Sequence, residues 1–286
     1  MSSFHQSRSL DCLHLACSSG NVNRCIELIE DGVDVNHISN GISPLHIAAQ
    51  SSKSELCRLL INNGAKTECS DMDGKTPAFY ASRSGNPGAL EELCLAGASM
   101  DTEVDETTPI HEAAGFGQHR CIEVIFEHDN ELIDCFTEDE RTPLHRASLE
   151  GHLAAVETCL RLGADVHGGF SSEEPGTTPA HLAASRGHES VIRALGAKGA
   201  NFYLLNEQDQ DVFAVAHAHG HDWLFEIMKI FETDADVSAD GDSMSVGSSY
   251  LQSTPNSNIK FLSKDGVKMP ESFQEYKWPW NRKHGF

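Results

Sequence analysis

The sequence predicts an all-α solenoid of seven helix–turn–helix repeats with hairpin connectors, followed by a flexible C-terminal tail. Three observations carry that prediction. A hexapeptide recurs as SPLHIA from Ser43, TPAFYA from Thr76, TPIHEA from Thr108, TPLHRA from Thr142 and TPAHLA from Thr178. Its prolines, Pro44, Pro77, Pro109, Pro143 and Pro179, are 33, 32, 34 and 36 residues apart. A glycine closes most of the short helices these prolines open, as at Gly151 and Gly187.

The stretch from Thr142 to Val166 shows why each unit is two helices. Thr142 is a good N-cap, because its hydroxyl accepts a hydrogen bond from an early backbone N–H. Pro143 suits the first helical position, where a missing N–H is harmless and φ is already helical. Leu144 and Ala147 give one apolar edge, and Gly151 supplies a left-handed C-cap. A second helix begins near His152, with Val156, Cys159 and Leu160 on one face, and Gly163 ends it. Helices this short are unstable alone, so they require copies on either side.

Copies are present throughout. Degenerate ones open and close the array, DCLHLA from Asp11 and DVFAVA from Asp211; both lose Thr-Pro but start on Asp, an equally good cap. A period near 33 carrying this hexapeptide resembles the ankyrin repeat over residues 9–232. The units run 9–41, 42–74, 75–106, 107–140, 141–176, 177–209 and 210–232. Copy two has Ser52 where the closing glycine is expected, copy three has Phe79 in place of histidine, and copy four replaces its closing turn with EHDNELIDCF. Copy five has the longest connector, from His167, and copy seven, with Trp223, Phe225 and Met228, reads as a C-terminal cap.

Outside the array, residues 1–8 are expected to be a disordered lead. Residues 233–259 are acidic and then Ser- and Asn-rich, the composition of a linker. Residues 260–286 form a basic aromatic tail. The formal charge of -22 is uneven: from residue 234 onward seven acids meet six Lys or Arg, so the array carries nearly all of it. Concentrated negative charge argues against nucleic acid as a partner. No segment approaches about 20 consecutive apolar residues, so no membrane span is expected. The nine cysteines form no C-x-x-C pair, and several occupy buried helix positions. They read as small hydrophobes in a reducing compartment, which places the chain in the cytoplasm, with the nucleus also open to it.

No catalytic motif is present: there is no G-x-S-x-G, no P-loop and no kinase signature. Among 16 histidines, His14, His46, His111, His145 and His181 share the repeat's own slot, and His152, His188 and His221 follow closing glycines. The resemblance makes both sets structural. His217, His219 and His221 have a metal-like spacing, but Gly220 breaks the helix between them and residues two apart share no face. A metal-dependent enzyme is therefore the weakest alternative, and no cofactor is expected.

The resemblance implies binding along the hairpin connectors and the inner helices. Equivalent connectors bring Glu103, Asp105 and Glu106 beside Glu138, Asp139 and Glu140, and then Glu173 and Glu174. This ridge, with Phe116, Arg146 and Leu149 on the neighbouring helices, is the expected receptor for a basic segment of a protein partner; a merely solvated acidic face is the competing reading. Tyr276, Trp278, Trp280, Arg282 and Lys283 could fold back onto it. Asn36 matches the connector asparagine hydroxylated in some members of the resembled family, and Thr254 precedes Pro255 as a phosphorylation candidate. The expected function is non-catalytic protein binding by a monomer acting as an adaptor or regulatory subunit. Substrate recognition for a ubiquitin ligase and inhibitory regulation are its alternatives.

Overall fold

The computed structural model describes residues 12–51, 53–105, 107–170 and 176–237, with backbone path alone from 232. The lead, the tail, Glu106, Glu173, Glu174 and Thr254 lie outside the described residues, as do Tyr276, Trp278, Trp280, Arg282 and Lys283. Among the described residues seven helix pairs follow one another: α1 (12–18) with α2 (Val22–Glu30), α3 (Pro44–Gln50) with α4 (Ser54–Asn62), and α5 (Pro77–Ser84) with α6 (Pro87–Leu95). Then come α7 (Pro109–Gly115) with α8 (His119–His128), α9 (Pro143–Glu150) with α10 (Leu153–Arg161), and α11 (Pro179–Arg186) with α12 (Glu189–Ala197). The last pair is α13 (Val212–Ala218) with α14 (Leu224–Val237). Among the described residues the only strand-like pairings are the antiparallel bridges Ser39–Ile42 and Val104–Thr107, at the bases of two hairpins.

The odd-numbered helices from α3 onward pack on one another in one row and the even-numbered helices in a second. Leu45, Leu56, Leu90, Ile110, Ile122 and Leu144 are fully buried between the rows. Each such side chain contributes about 1.5–3 kcal/mol by leaving water, so stability accumulates from repeat to repeat rather than from one centre.

Where it is present, the recurring histidine ties its repeat to the next. His145 Nε2 lies 2.8 Å from the carbonyl oxygen of Thr177. A carbonyl can only accept, so Nε2 donates and Nδ1 is left as an acceptor. Nδ1 takes the backbone N–H of Thr142 at 3.0 Å, with the Thr142 hydroxyl 2.9 Å away. The hydroxyl thus serves the histidine ring as well as the helix backbone, with which it completes a capping box. His46 reaches Lys75, His111 reaches Arg141 and His181 reaches Gln210 in the same way, all within 3.0 Å. Burial drives their pKa values down, to about 4 for His111, about 3 for His145 and about 4 for His181.

A second tie crosses the closing glycines. Gly151 takes φ 75, the left-handed region open to glycine, and a Cβ there would meet the His188 ring at 2.6 Å. His188 Nε2 lies 3.0 Å from the Leu149 carbonyl. His152 sits over Gly117 and His221 over Gly187 likewise.

Repeats two and three depart from this scheme, each with a physical consequence. Helix α3 ends on Ser51 in an extended conformation, without a glycine turn. Asn86, in the slot that His152 and His188 occupy elsewhere, compensates: its amide donates to the carbonyls of Ala49, at 3.1 Å, and Ser51, while its oxygen caps Ala89 N. In repeat three Phe79 replaces the histidine and is buried, and Thr76 Oγ1 is left buried without a hydrogen-bond partner.

Repeat four ends in a 3₁₀ helix, Asn130–Asp134, capped by the Asp129 side chain and burying Leu132 and Ile133. The last repeat is less regular at both ends. Ala214 stands in the histidine slot, so Asp211 caps Ala214 N through Oδ1 at 2.7 Å while Oδ2 lacks a partner. Burial pushes the Asp211 carboxyl up to about 6. Helix α14 runs to Val237, beyond the boundary at 232 that composition suggests.

Candidate protein-binding surface

The helices of the odd row present one exposed edge, and the hairpin connectors stand beside it. The hairpins are preformed by their own side chains. Asp71 Oδ1 accepts the backbone N–H groups of Asp73 and Lys75, at 2.9 and 2.8 Å. Asn206 Oδ1 does the same for Gln208 and Gln210, both at 2.9 Å. Neighbouring fingers touch: the Met72 side chain lies against Gly41, Val104 lies against Gly74, and Lys75 Nζ is 3.8 Å from Asp105.

Where the second, third and fourth repeats meet, this edge deepens into a cavity of about 510 Å³. Helix α3 supplies Gln50, α5 supplies Phe79, Tyr80, Arg83 and Ser84, α7 supplies Glu112 and its C-cap Phe116, and the finger supplies Asp71, Asp73 and Lys75. Tyr80 and Arg83 share a face because they are three apart on one helix. The Tyr80 hydroxyl donates to Asp71 Oδ2 at 2.7 Å, and its ring meets His46 edge-on at 5.0 Å. Burial and the Asp71 carboxylate push the Tyr80 hydroxyl up to about 12. Burial opposes ionisation of Asp71, but the bonds from Tyr80, Lys75 and Asp73 outweigh it and hold that carboxyl below the usual range.

Arg83 lies over the Phe116 ring, 4.8 Å from its centroid, a stacking that fixes both side chains at the rim. Phe116 is 45% exposed. Glu112 Oε2, in the cavity lining, is buried without a hydrogen-bond partner. One helix further on, Arg146 Nε is also buried and unpartnered.

The structure therefore divides the sequence-derived candidates. Phe116 joins the cavity. Arg146 and Leu149 lie on α9, and the Leu149 carbonyl is occupied by His188. Glu103, Glu138, Asp139 and Glu140 are exposed on the fingers, and Asp105 is exposed but faces Lys75. Asp105 and Glu140 take positive φ, 50 and 55, so the fingers hold them in strained, defined positions. Sequence reasoning missed Tyr80, Arg83, Glu112 and Asp73. The signal available was their spacing: Tyr80 and Arg83, like Glu112 and Phe116, recur on one helix edge in adjacent repeats.

Asn36 is not a loose connector residue. Its amide donates to Gly64 O and its oxygen accepts Lys66 N, each at 2.8 Å, which joins two connectors. His217 Nδ1 is 2.8 Å from Asp222 Oδ1, His219 Nδ1 is 2.9 Å from Val215 O, and His221 lies over Gly187. Among the described residues no three His, Cys, Asp or Glu side chains converge as a metal site, and no helix is long and apolar enough to cross a membrane.

Comparison with known proteins agrees with this architecture. A family model for ankyrin repeats in three copies matches residues 13–104 and 80–170, and one for the single ankyrin repeat matches 176–210. The chain belongs to the ankyrin repeat family, and its repeats make it a protein–protein interaction module. It is similar to human SH3 and multiple ankyrin repeat domains protein 2, with 32% identity over 213 residues, covering 73% of this chain and 11% of that protein. Its fold resembles the human ASB11 ankyrin repeat domain, with TM-score 0.68, 30% identity and coverage of 76% and 96% of the two chains. It also resembles the ankyrin repeat domain of Bcl-3, with TM-score 0.61, 25% identity and coverage of 75% and 97%. The chain spans only 11% to 28% of the length of the first three curated relatives it matches.

Proposed function

We propose that this chain is a non-catalytic adaptor or regulatory subunit that receives a basic segment of a protein partner across the α5–α7 cavity and its fingers. The observation that carries the reading is the asymmetry of charge satisfaction in the cavity. Its cations have partners, Arg83 on Phe116 and Lys75 on Asp105, whereas Glu112 Oε2 is buried with none. An incoming Lys or Arg would relieve that unpaired acceptor, and Tyr80 and Phe116 offer it aromatic faces. The exposed acids of the fingers, Glu103 and Glu138 to Glu140, would speed the encounter more than they tighten the complex. The binding unit in this reading is a monomer. All nine cysteines are free, which supports a cytoplasmic setting.

Peptide selection from a random library on the full chain tests the proposal. Enrichment of sequences with Lys or Arg beside an aromatic residue, lost on Asp73→Lys and Glu112→Lys, is the expected result. Enrichment without basic residues, or binding indifferent to both substitutions, overturns it.

A further inference from the structure

We propose that the C-terminal segment 276–286 of this same chain occupies the α5–α7 cavity when no partner is bound. The inference rests on the partner-site reading above only in giving tail and partner one shared cavity. The segment reads YKWPWNRKHGF: Lys277, Arg282 and Lys283 with no acid, interleaved with Tyr276, Trp278, Trp280 and Phe286. That is the chemistry the cavity calls for. A cation from the segment meets the unpaired Glu112 Oε2 and the exposed Asp73, and an indole packs between Tyr80 and Phe116. A volume of about 510 Å³ lies within the range that engulfs a drug-sized group, and so takes one or two such side chains.

Reach agrees with this placement. From the end of α14 at Val237 to Tyr276 is about 40 residues, and a coil of that length spans about 30–40 Å. The cavity lies about four repeats away, and helices of successive repeats at about 8–10 Å spacing cover the same distance. Tethering at this range gives an effective concentration on the order of millimolar, so even a weak contact is substantially filled. A partner with a basic segment must then displace the tail, which raises the affinity it needs.

The three tryptophans of the chain are Trp223, Trp278 and Trp280, which makes the test direct. In the full chain carrying Trp223→Phe, all indole emission comes from the tail. Docking is expected to shift that emission to the blue of a synthetic 270–286 peptide and to cut acrylamide quenching several-fold. Asp73→Lys with Glu112→Lys, or raised salt, should return both readings to those of the peptide. If the Trp223 variant fails to fold, 5-fluorotryptophan labelling of the unsubstituted chain gives three ¹⁹F lines that report the same contact. Peptide-like emission, or lines from the tail at peptide positions, overturns the proposal. A blue shift that survives both charge reversals also overturns it, because the tail then sits elsewhere. No partner enters these measurements, so their outcome is separate from that of the peptide selection.

Discussion

The side-chain amide of Asn86 donates to the carbonyl oxygen of Ala49 at 3.1 Å, tying repeat three to the turn of repeat two that has no glycine. Its second amide contact, to Ser51 O, and its cap on Ala89 N make one buried side chain serve three backbone groups. Asn86→Ala should lower unfolding stability by about 2–3 kcal/mol, since buried groups lose their partners. Denaturant melts should also broaden, because repeats one and two would uncouple from the rest. An unchanged midpoint and slope would refute the assignment.

Phe79 and His145 occupy one slot with opposite consequences. His145→Phe strands Thr142 N–H and Thr177 C=O, and should lower stability by about 2–3 kcal/mol. Phe79→His gives Thr76 Oγ1 a partner while losing apolar burial, two effects of about 1 kcal/mol that oppose each other. It should stay within about 1 kcal/mol of the parent by chemical denaturation. Comparable losses from both substitutions would sink the account.

Acid should weaken the array, and the sign follows from the histidines. Burial depresses His111, His145 and His181 to between about 3 and about 4, while in the unfolded chain histidine titrates near about 6.5. Their contribution is present above about pH 6.5 and is lost as pH falls toward the folded values. Asp211, raised to about 6, acts oppositely between about pH 6 and 4, since the folded state then holds the extra proton. Three groups against one give a net loss, on the order of a few kcal/mol between pH 7 and pH 4.5. A flat denaturation midpoint over that range would contradict it.

His217, His219 and His221 each face a different neighbour, so zinc should find no site among them. Added zinc should leave Tm unchanged, and His219→Ala should bind as little metal as the parent. A stoichiometric zinc content that falls on that substitution would reverse the conclusion.

The repeat scaffold was legible because it depends on residues that act locally. Pro143 and Gly151 mark a helix start and stop whatever surrounds them, and period does the rest. The Asn86 clamp was not legible, because a polar residue before Pro87 resembles any helix cap until the missing glycine of the previous repeat is set against it. Phe79 was visible only as a lost histidine; the stranded Thr76 hydroxyl required the fold. Glu103, Asp105 and Glu138 to Glu140 lie on connectors, but Lys75 facing Asp105 shows that a charge run says little about which charges are already answered. The cavity escaped because its walls come from three repeats, Gln50, Tyr80 and Phe116, and of these only Phe116 stands out within its own repeat.

The overlay of His152, His188 and His221 on Gly117, Gly151 and Gly187 makes each of these three joins a matched pair, with a socket on one side and a plug on the other. Matching sockets and plugs can be recombined. Excising residues 118–151 would bring His152 directly after Gly117 in sequence and set His188 over Gly117, one socket for another of the same kind. Excising repeat two would instead set the Asn86 amide against a glycine turn at Gly20, whose carbonyls are arranged for a different plug. The array should therefore shorten by whole units within its later half and resist the same edit near its start.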